Sequence, residues 1–152
     1  MTILVTGGTG LVGSRLLKRF VEAGIDCRGL VRPGKKLAVG VTALEGDILR
    51  PESLAAAVEG VTAIIHLAAL FRTGDEAEIW KVNLDGTRNL IAAVKEYASD
   101  ARFLLASTSN VYDPDISHPG VRMTTSPQHL LTPQAKSKRR TNFARAHSIG
   151  AS

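Results

Sequence analysis

The chain has 152 residues, 44% of them hydrophobic and 22% charged, with 14 glycines and one cysteine. That composition fits one ordinary globular domain with a sizeable core, and it excludes a disulfide-stapled miniprotein, a collagen-like chain and a disordered tail. The formal charge of +5 is unevenly held: residues 1–115 carry 13 basic and 14 acidic side chains, whereas residues 116–152 carry 6 basic and none acidic.

The longest apolar run, residues 63–71, is interrupted by His66 and is far short of a membrane span. No basic region precedes the N-terminal apolar stretch, so no signal peptide is visible and a cytoplasmic location is expected. With Cys27 alone, neither an internal disulfide nor a multi-cysteine metal site is available. A basic stretch can grip nucleic-acid phosphates, but Phe143 is the only aromatic after residue 115, so stacking platforms are missing. A solvated end is the simpler reading, and no nucleic-acid or membrane partner is expected.

In chain order, residues 2–6 are a short apolar run ending in Gly7 and Gly8, which predicts a buried strand. Residues 11–23 follow as a helix with Leu16, Leu17, Phe20 and Val21 on one face, stopped by Gly24. Residues 27–31 and 41–44 predict the second and third strands, the latter closed by Gly46-Asp47. Pro51 suits the first turn of a helix running to Gly60. A fourth strand is expected over 63–67. One long helix is expected over 75–97, with Trp80, Leu84, Thr87, Ile91 and Val94 as its apolar stripe, and a fifth strand over 102–106. Strand–helix alternation of this kind predicts a doubly wound parallel α/β sheet of Rossmann type, in the order 3-2-1-4-5. After Asp113 the pattern fails among Pro114, Pro119, Pro127 and Pro133. The expected organisation is therefore a dinucleotide-binding domain over 1–113 and an irregular basic tail over 114–152.

Gly7, Gly10 and Gly13 join the first strand to the first helix. In that context a glycine trio has a mechanism. The first glycine makes the tight turn, the second lets the backbone approach a pyrophosphate, and the third allows close packing of the helix. The helix N-terminus then offers N–H groups and partial positive charge to phosphate. A Gly-rich turn of purely structural use is the alternative. About 20 residues on, an acidic side chain would favour NAD. Here Arg32 stands near that position with Lys35 and Lys36 beyond it, which points to NADP, with NAD still possible. A solvated basic loop is the competing explanation.

Five segments in this order resemble the extended short-chain dehydrogenase/reductases, the NAD(P)-dependent epimerase/dehydratase group. They are Thr6-Gly7-Gly8-Thr9-Gly10-Leu11-Val12-Gly13, Gly46-Asp47-Ile48, His66-Leu67-Ala68-Ala69, Val82-Asn83-Leu84-Asp85-Gly86-Thr87 and Ser107-Thr108-Ser109-Asn110-Val111-Tyr112. The resemblance implies that Asp47 accepts from the adenine amino group and Ile48 packs on its ring, and that Leu67, Ala68 and Ala69 line the cofactor. Leu11 and Val12 would follow the pyrophosphate turn, and Asn83 would lie beneath the nicotinamide half. Other readings stay open: Asp47 as a helix cap near Pro51, Asn83 as a structural helix polar residue, Trp80 as core or dimer packing. His66 reads as a strand-end core histidine and Cys27 as a buried thiol.

The resemblance also implies a catalytic Ser/Thr after the fifth strand, which Thr108 matches, and a Tyr-x-x-x-Lys pair. The pair is missing: Tyr97 is followed four residues on by Ala101, and Tyr112 by Ile116. The nearest echo puts Gln134 in the Tyr place and Lys138 in the Lys place, and a chance match in a Lys/Ser-rich stretch is an equal alternative. An amide cannot serve as a general acid at neutral pH. The resemblance implies a chain about twice this length with a C-terminal substrate lobe. No acidic residue follows Asp115 and the pair is missing in the same region, so residues from about 116 on are expected to reflect truncation or a frame shift, with that lobe lacking. The expected function is the NAD(P)-binding domain of an epimerase/dehydratase- or reductase-type oxidoreductase, acting by hydride transfer on a small molecule. A homodimer through the 75–97 helix goes with it. The alternatives are a non-catalytic NADP-binding sensor and a nucleic-acid binder.

Overall fold

A computed structural model describes residues 1–71 and 73–107. Five strands form one parallel sheet: β1 (Ile3–Thr6), β2 (Cys27–Val31), β3 (Thr42–Glu45), β4 (Ala63–His66) and β5 (Arg102–Leu105). Their order is β3-β2-β1-β4-β5, as the alternation predicts. Thr6 pairs in register with Leu30 on one side and His66 on the other. The strand order reverses at β1, so the turn after it sits at the switch point where open α/β sheets bind ligands.

The helices are α1 (Leu11–Glu22), α2 (Ala55–Val58), α3 (Glu76–Trp80) and α4 (Gly86–Tyr97). β1, at the centre of the sheet, buries all its side chains, which is why it reads as an apolar run, whereas the edge strands β3 and β5 are largely exposed or half-buried. On one face Ile3, Val5 and Cys27 meet Leu17 of α1, with Leu16, Phe20 and Val21 around them. Alternation puts Leu4, Thr6, Ile64 and His66 on the other face. α1 ends in a Schellman turn: Gly24 takes φ +65°, Gly24 N donates to Val21 O at 3.1 Å, and Ile25 N donates to Phe20 O at 2.8 Å.

Two predicted helices are broken. The segment expected to run from Pro51 to Gly60 is a 3₁₀ turn, Pro51–Ser53, followed by the short α2. The long helix expected over 75–97 is interrupted by a π turn, Lys81–Asp85, between α3 and α4. A π turn inserts an extra residue, so the apolar stripe changes phase across it. Leu90, absent from the expected stripe, is fully buried, whereas Trp80 and Ile91 are half-buried.

The chain divides into two compact units, one of Met1–Ala69 with Gly86–Ala106, the other built around Leu70–Asp85. The first holds the whole sheet. In the second, Asp75 caps α3 by accepting from Ala77 N at 2.9 Å and Glu78 N at 3.2 Å. The basic tail expected over 114–152 lies outside the described residues. Among the described residues no helix is long and apolar enough to cross a membrane.

Candidate functional site

The glycine turn leaves β1 at its C-terminal end. Gly7 adopts φ +73°, and a Cβ there would stand 2.6 Å from Ala68 N and 2.8 Å from the Leu67 carbonyl carbon. Both backbone sign and space therefore demand glycine. Gly13, one turn into α1, faces back onto the turn: a Cβ would strike Gly7 O and stand 2.8 Å from Gly8 Cα. It packs on the turn rather than on the body of the strand. Gly10 differs. Its nearest obstacle is Gly7 O at 3.3 Å, so the backbone there is open to an approaching group. Gly10 is also the N-cap of α1, with no side chain capping the helix and no acidic residue in the first turn. The first N–H groups of α1 are thus left for an anion. Leu11 and Val12 are 70% and 65% exposed beside them.

Arg32 follows β2, and Val31 before it is buried at the same sheet end as the glycine turn. The guanidinium is exposed and has no partner among the described residues, as are Lys35 and Lys36 in the loop beyond. That loop is pegged by Leu37, whose side chain covers Gly29 and reaches to 3.0 Å from where a Cβ on Gly8 would stand.

Asp47 and Ile48 follow β3. Asp47 Oδ1 accepts from Leu49 N at 2.9 Å, closing a local turn, and Asp47 N donates to Ser53 Oγ at 3.0 Å. Asp47 does not cap the helix that follows, where Arg50 holds the N-cap position. Oδ2 has no partner among the described residues. Ile48 is buried against Gly86, where a Cβ would stand 2.7 Å from Ile48 Cδ1, and Asn89 Nδ2 donates to Ile48 O at 2.9 Å.

Leu67, Ala68 and Ala69 follow β4 and are half-buried. Leu67 N donates to Thr6 O at 3.1 Å and Ala68 N to Thr6 Oγ1 at 3.3 Å, which ties the exits of β4 and β1 together. His66 beneath them is fully buried, as expected, but in a polar setting: Nδ1 lies 2.5 Å from Thr6 Oγ1 and Nε2 2.8 Å from Thr87 Oγ1. Sequence reading missed this trio. Its signal is that Thr6 and His66 end adjacent strands. Cys27 is buried as expected, and burial, with Asp26 adding to it, pushes its thiol pKa up.

Asn83 belongs to the other compact unit. Its side chain donates to Leu70 O at 2.7 Å and accepts from Leu70 N at 2.8 Å, which makes it a clamp on that segment's backbone. Thr108 and Lys138 lie outside the described residues, as do Tyr112 and Gln134. The structure thus brings the glycine turn, Arg32, Asp47, Ile48 and the Leu67–Ala69 stretch to the C-terminal ends of four neighbouring strands. An open groove of about 360 Å³, lined by Val61, Thr62, Tyr97 and Ala101 among others, lies at the opposite end of the strands. Among the described residues no cluster of His, Cys, Asp and Glu is suited to a metal ion.

The chain is similar to a photosystem II assembly factor of Synechocystis, 36% identical over 100 residues that span 63% of this chain and 30% of that protein. It is 33% identical over 119 residues to a 3-beta-hydroxysteroid dehydrogenase of Mycolicibacterium neoaurum, covering 72% of this chain and 32% of that one. Among solved structures, a short-chain dehydrogenase/reductase superfamily protein from Agrobacterium tumefaciens with bound NAD superposes with TM-score 0.79 and 27% identity, over 99% of this chain and 46% of that one. The chain thus spans about a third of the length of these curated relatives and about half of that structure. Residues 3–143 match a family described as NAD dependent epimerase/dehydratase, a match that continues past the domain edge expected at 113. With the glycine turn at the switch point of a 3-2-1-4-5 sheet, the conclusion is that this chain belongs to the NAD-dependent epimerase/dehydratase family.

Proposed function

We propose that the chain carries the cofactor-binding part of an NAD(P)-dependent oxidoreductase or epimerase acting on a carbinol or ketone carbon of a small molecule. The observation that carries this reading is the contrast among the three glycines. Two are walled in by backbone, and the third, Gly10, is open at an uncapped helix N-terminus. The turn and the first N–H groups of α1 would hold the pyrophosphate. Asp47, through Oδ2, and Ile48 would meet the adenine. Leu67, Ala68 and Ala69 would line the cofactor's path. Bound nicotinamide would supply hydride transfer. Thr108 and Lys138 would serve the substrate side. Asn83 would act beneath the nicotinamide half through the segment it clamps.

NADP is preferred over NAD in this reading, because the exposed Arg32 guanidinium can take a 2′-phosphate bidentately. The name of the steroid dehydrogenase relative supports redox chemistry at a hydroxyl carbon, and a cytoplasmic location goes with this reading. A homodimer through the 75–97 segment completes the proposal, and sedimentation showing a monomer at high concentration would refute that part. Fluorescence titration of the purified chain with NADPH and NADH tests the core of it. Saturable binding of either supports the reading, and binding of neither refutes it. A second reading, cofactor binding without turnover, is favoured by the missing Tyr-x-x-x-Lys pair and by the relative named as an assembly factor. Saturable binding with no oxidation of added alcohols would select it.

A further inference from the structure

The polar trio beneath the glycine turn joins three segments that are remote in sequence. Thr6 is the last residue of β1, His66 the last of β4, and Thr87 lies in the first turn of α4. All three are completely buried. Burying three polar groups in a sheet–helix interface is unfavourable unless each is hydrogen-bonded. Apolar residues of similar size would fill the space without that demand. The bonds made here have a direction. Thr6 Oγ1 lies between His66 Nδ1 at 2.5 Å and Ala68 N at 3.3 Å, and it accepts from the latter. Thr6 O takes Leu67 N as well. One residue therefore sets the close approach of Gly7 to the Leu67–Ala68 backbone, which a Cβ on Gly7 would prevent.

At the other end, His66 Nε2 meets Thr87 Oγ1 at 2.8 Å, next to Gly86, which packs on Ile48. Two residues further along the same helix, Asn89 holds Ile48 O. The chain of contacts runs from the phosphate turn through the imidazole to α4, and from α4 to Asp47-Ile48. The neutral tautomer with its proton on Nε2 fits the trio: the Thr6 hydroxyl donates to His66 Nδ1 while accepting from Ala68 N, and Nε2–H donates to Thr87 Oγ1.

We propose that Thr6, His66 and Thr87 form a positioning network that fixes the glycine turn, the β4 exit and the Ile48 loop relative to one another, so that the phosphate and adenine portions of a dinucleotide are held at one spacing. This rests on the cofactor reading above. None of the three side chains touches cofactor in this proposal; they act through Gly7, Ala68 and Ile48.

The test uses pairs that keep or remove a hydroxyl at nearly constant volume: Thr6→Val against Thr6→Ser, and Thr87→Val against Thr87→Ser. NADPH and NADH titrations are read beside amide exchange at Ala68. Thr6→Val should weaken the tighter-binding dinucleotide about tenfold, the effect of one lost charge-free hydrogen bond amplified at a rigid site, with Thr6→Ser close to wild type. Ala68 exchange should accelerate at least about fivefold in Thr6→Val alone. Thr87→Val should weaken binding while Thr87→Ser restores it. If both members of each pair lower Tm equally and leave affinity and Ala68 exchange at wild-type values, the trio is core filling and the proposal is wrong. If wild type binds neither dinucleotide, the cofactor reading fails separately. The exchange arm still decides the network: faster Ala68 exchange in Thr6→Val and not Thr6→Ser upholds it, and equal exchange overturns it.

Discussion

Gly13 and Gly10 are three residues apart, and substituting each by alanine should produce opposite effects. At Gly13 a methyl group would meet Gly7 O, Gly8 Cα at 2.8 Å and the Gly7 carbonyl carbon at 2.9 Å. All three are backbone atoms, so no rotamer change relieves the clash. Overpacking of this sort costs about 1–3 kcal/mol, and a wall of backbone puts it near the upper end. Alanine recovers about 1 kcal/mol of helix propensity. The net loss is about 2 kcal/mol, or a fall in Tm of roughly 4–8 °C for a chain of this size. At Gly10 the methyl meets only Gly7 O at 3.3 Å. Losing glycine at an N-cap and stiffening the unfolded chain about cancel, so Tm should stay within roughly 2 °C. The same methyl occupies the space through which a pyrophosphate would approach, so Gly10→Ala should weaken NADPH at least about tenfold. Thermal melts by circular dichroism and fluorescence titration on the two variants check this. A Gly13→Ala chain that melts with wild type would refute the packing argument. A Gly10→Ala chain that binds as wild type would refute the placement of the pyrophosphate.

Arg32→Asp removes a guanidinium and adds a like charge, so NADPH affinity should fall by about tenfold or more while NADH changes little; a parallel loss of both would show that Arg32 does not read the 2′-phosphate. Cys27 has its thiol pKa raised in the folded chain, so the folded state holds that proton more tightly than the unfolded one. Its contribution is complete below the ordinary thiol range of about 8.5 and is lost as pH rises through the elevated folded value. Denaturant midpoints measured from pH 7 to 10 should decline at the alkaline end more steeply in wild type than in Cys27→Ala. Maleimide labelling at pH 8 should wait on unfolding. Gln134→Tyr tests whether the Gln134/Lys138 echo is a degenerate catalytic pair: a gain of about 10²-fold in turnover with an added alcohol would uphold it, and no gain would mark the match as chance.

The inner strands β2, β1 and β4 were legible because burial between two helical layers leaves short apolar runs, and right-handed crossovers leave few strand orders to choose from. The glycine turn was legible because its spacing encodes sterics that Gly7 and Gly13 realise. The break at Lys81–Asp85 was not, because the 4-3-4-3 spacing from Trp80 to Val94 fits an unbroken helix as well as two phases joined by a π turn. Asp47 illustrates a second limit. An acid shortly before Pro51 reads as a cap, yet its carboxylate closes a turn two residues on, a local competition that composition does not decide. The His66 trio was invisible as a unit because its partners lie 60 and 21 residues away. Only the register of β1 on β4 and the placement of α4 bring them together.

Leu37 gives the loop after β2 an unusual freedom. Its side chain sits over Gly29 and beside Gly8, so the loop is held from its middle by one apolar peg in a socket made of two glycines. The path near the peg does not depend on the side chains at 32, 35 and 36, which are all exposed. Those three positions form an interchangeable cassette. Acidic, neutral or basic sets could be written there without touching the core or the phosphate turn, and under the proposed reading the cofactor preference would change with them. Enlarging Gly29 or shrinking Leu37 would do the reverse: the charges would stay as they are, and the surface that presents them would come loose.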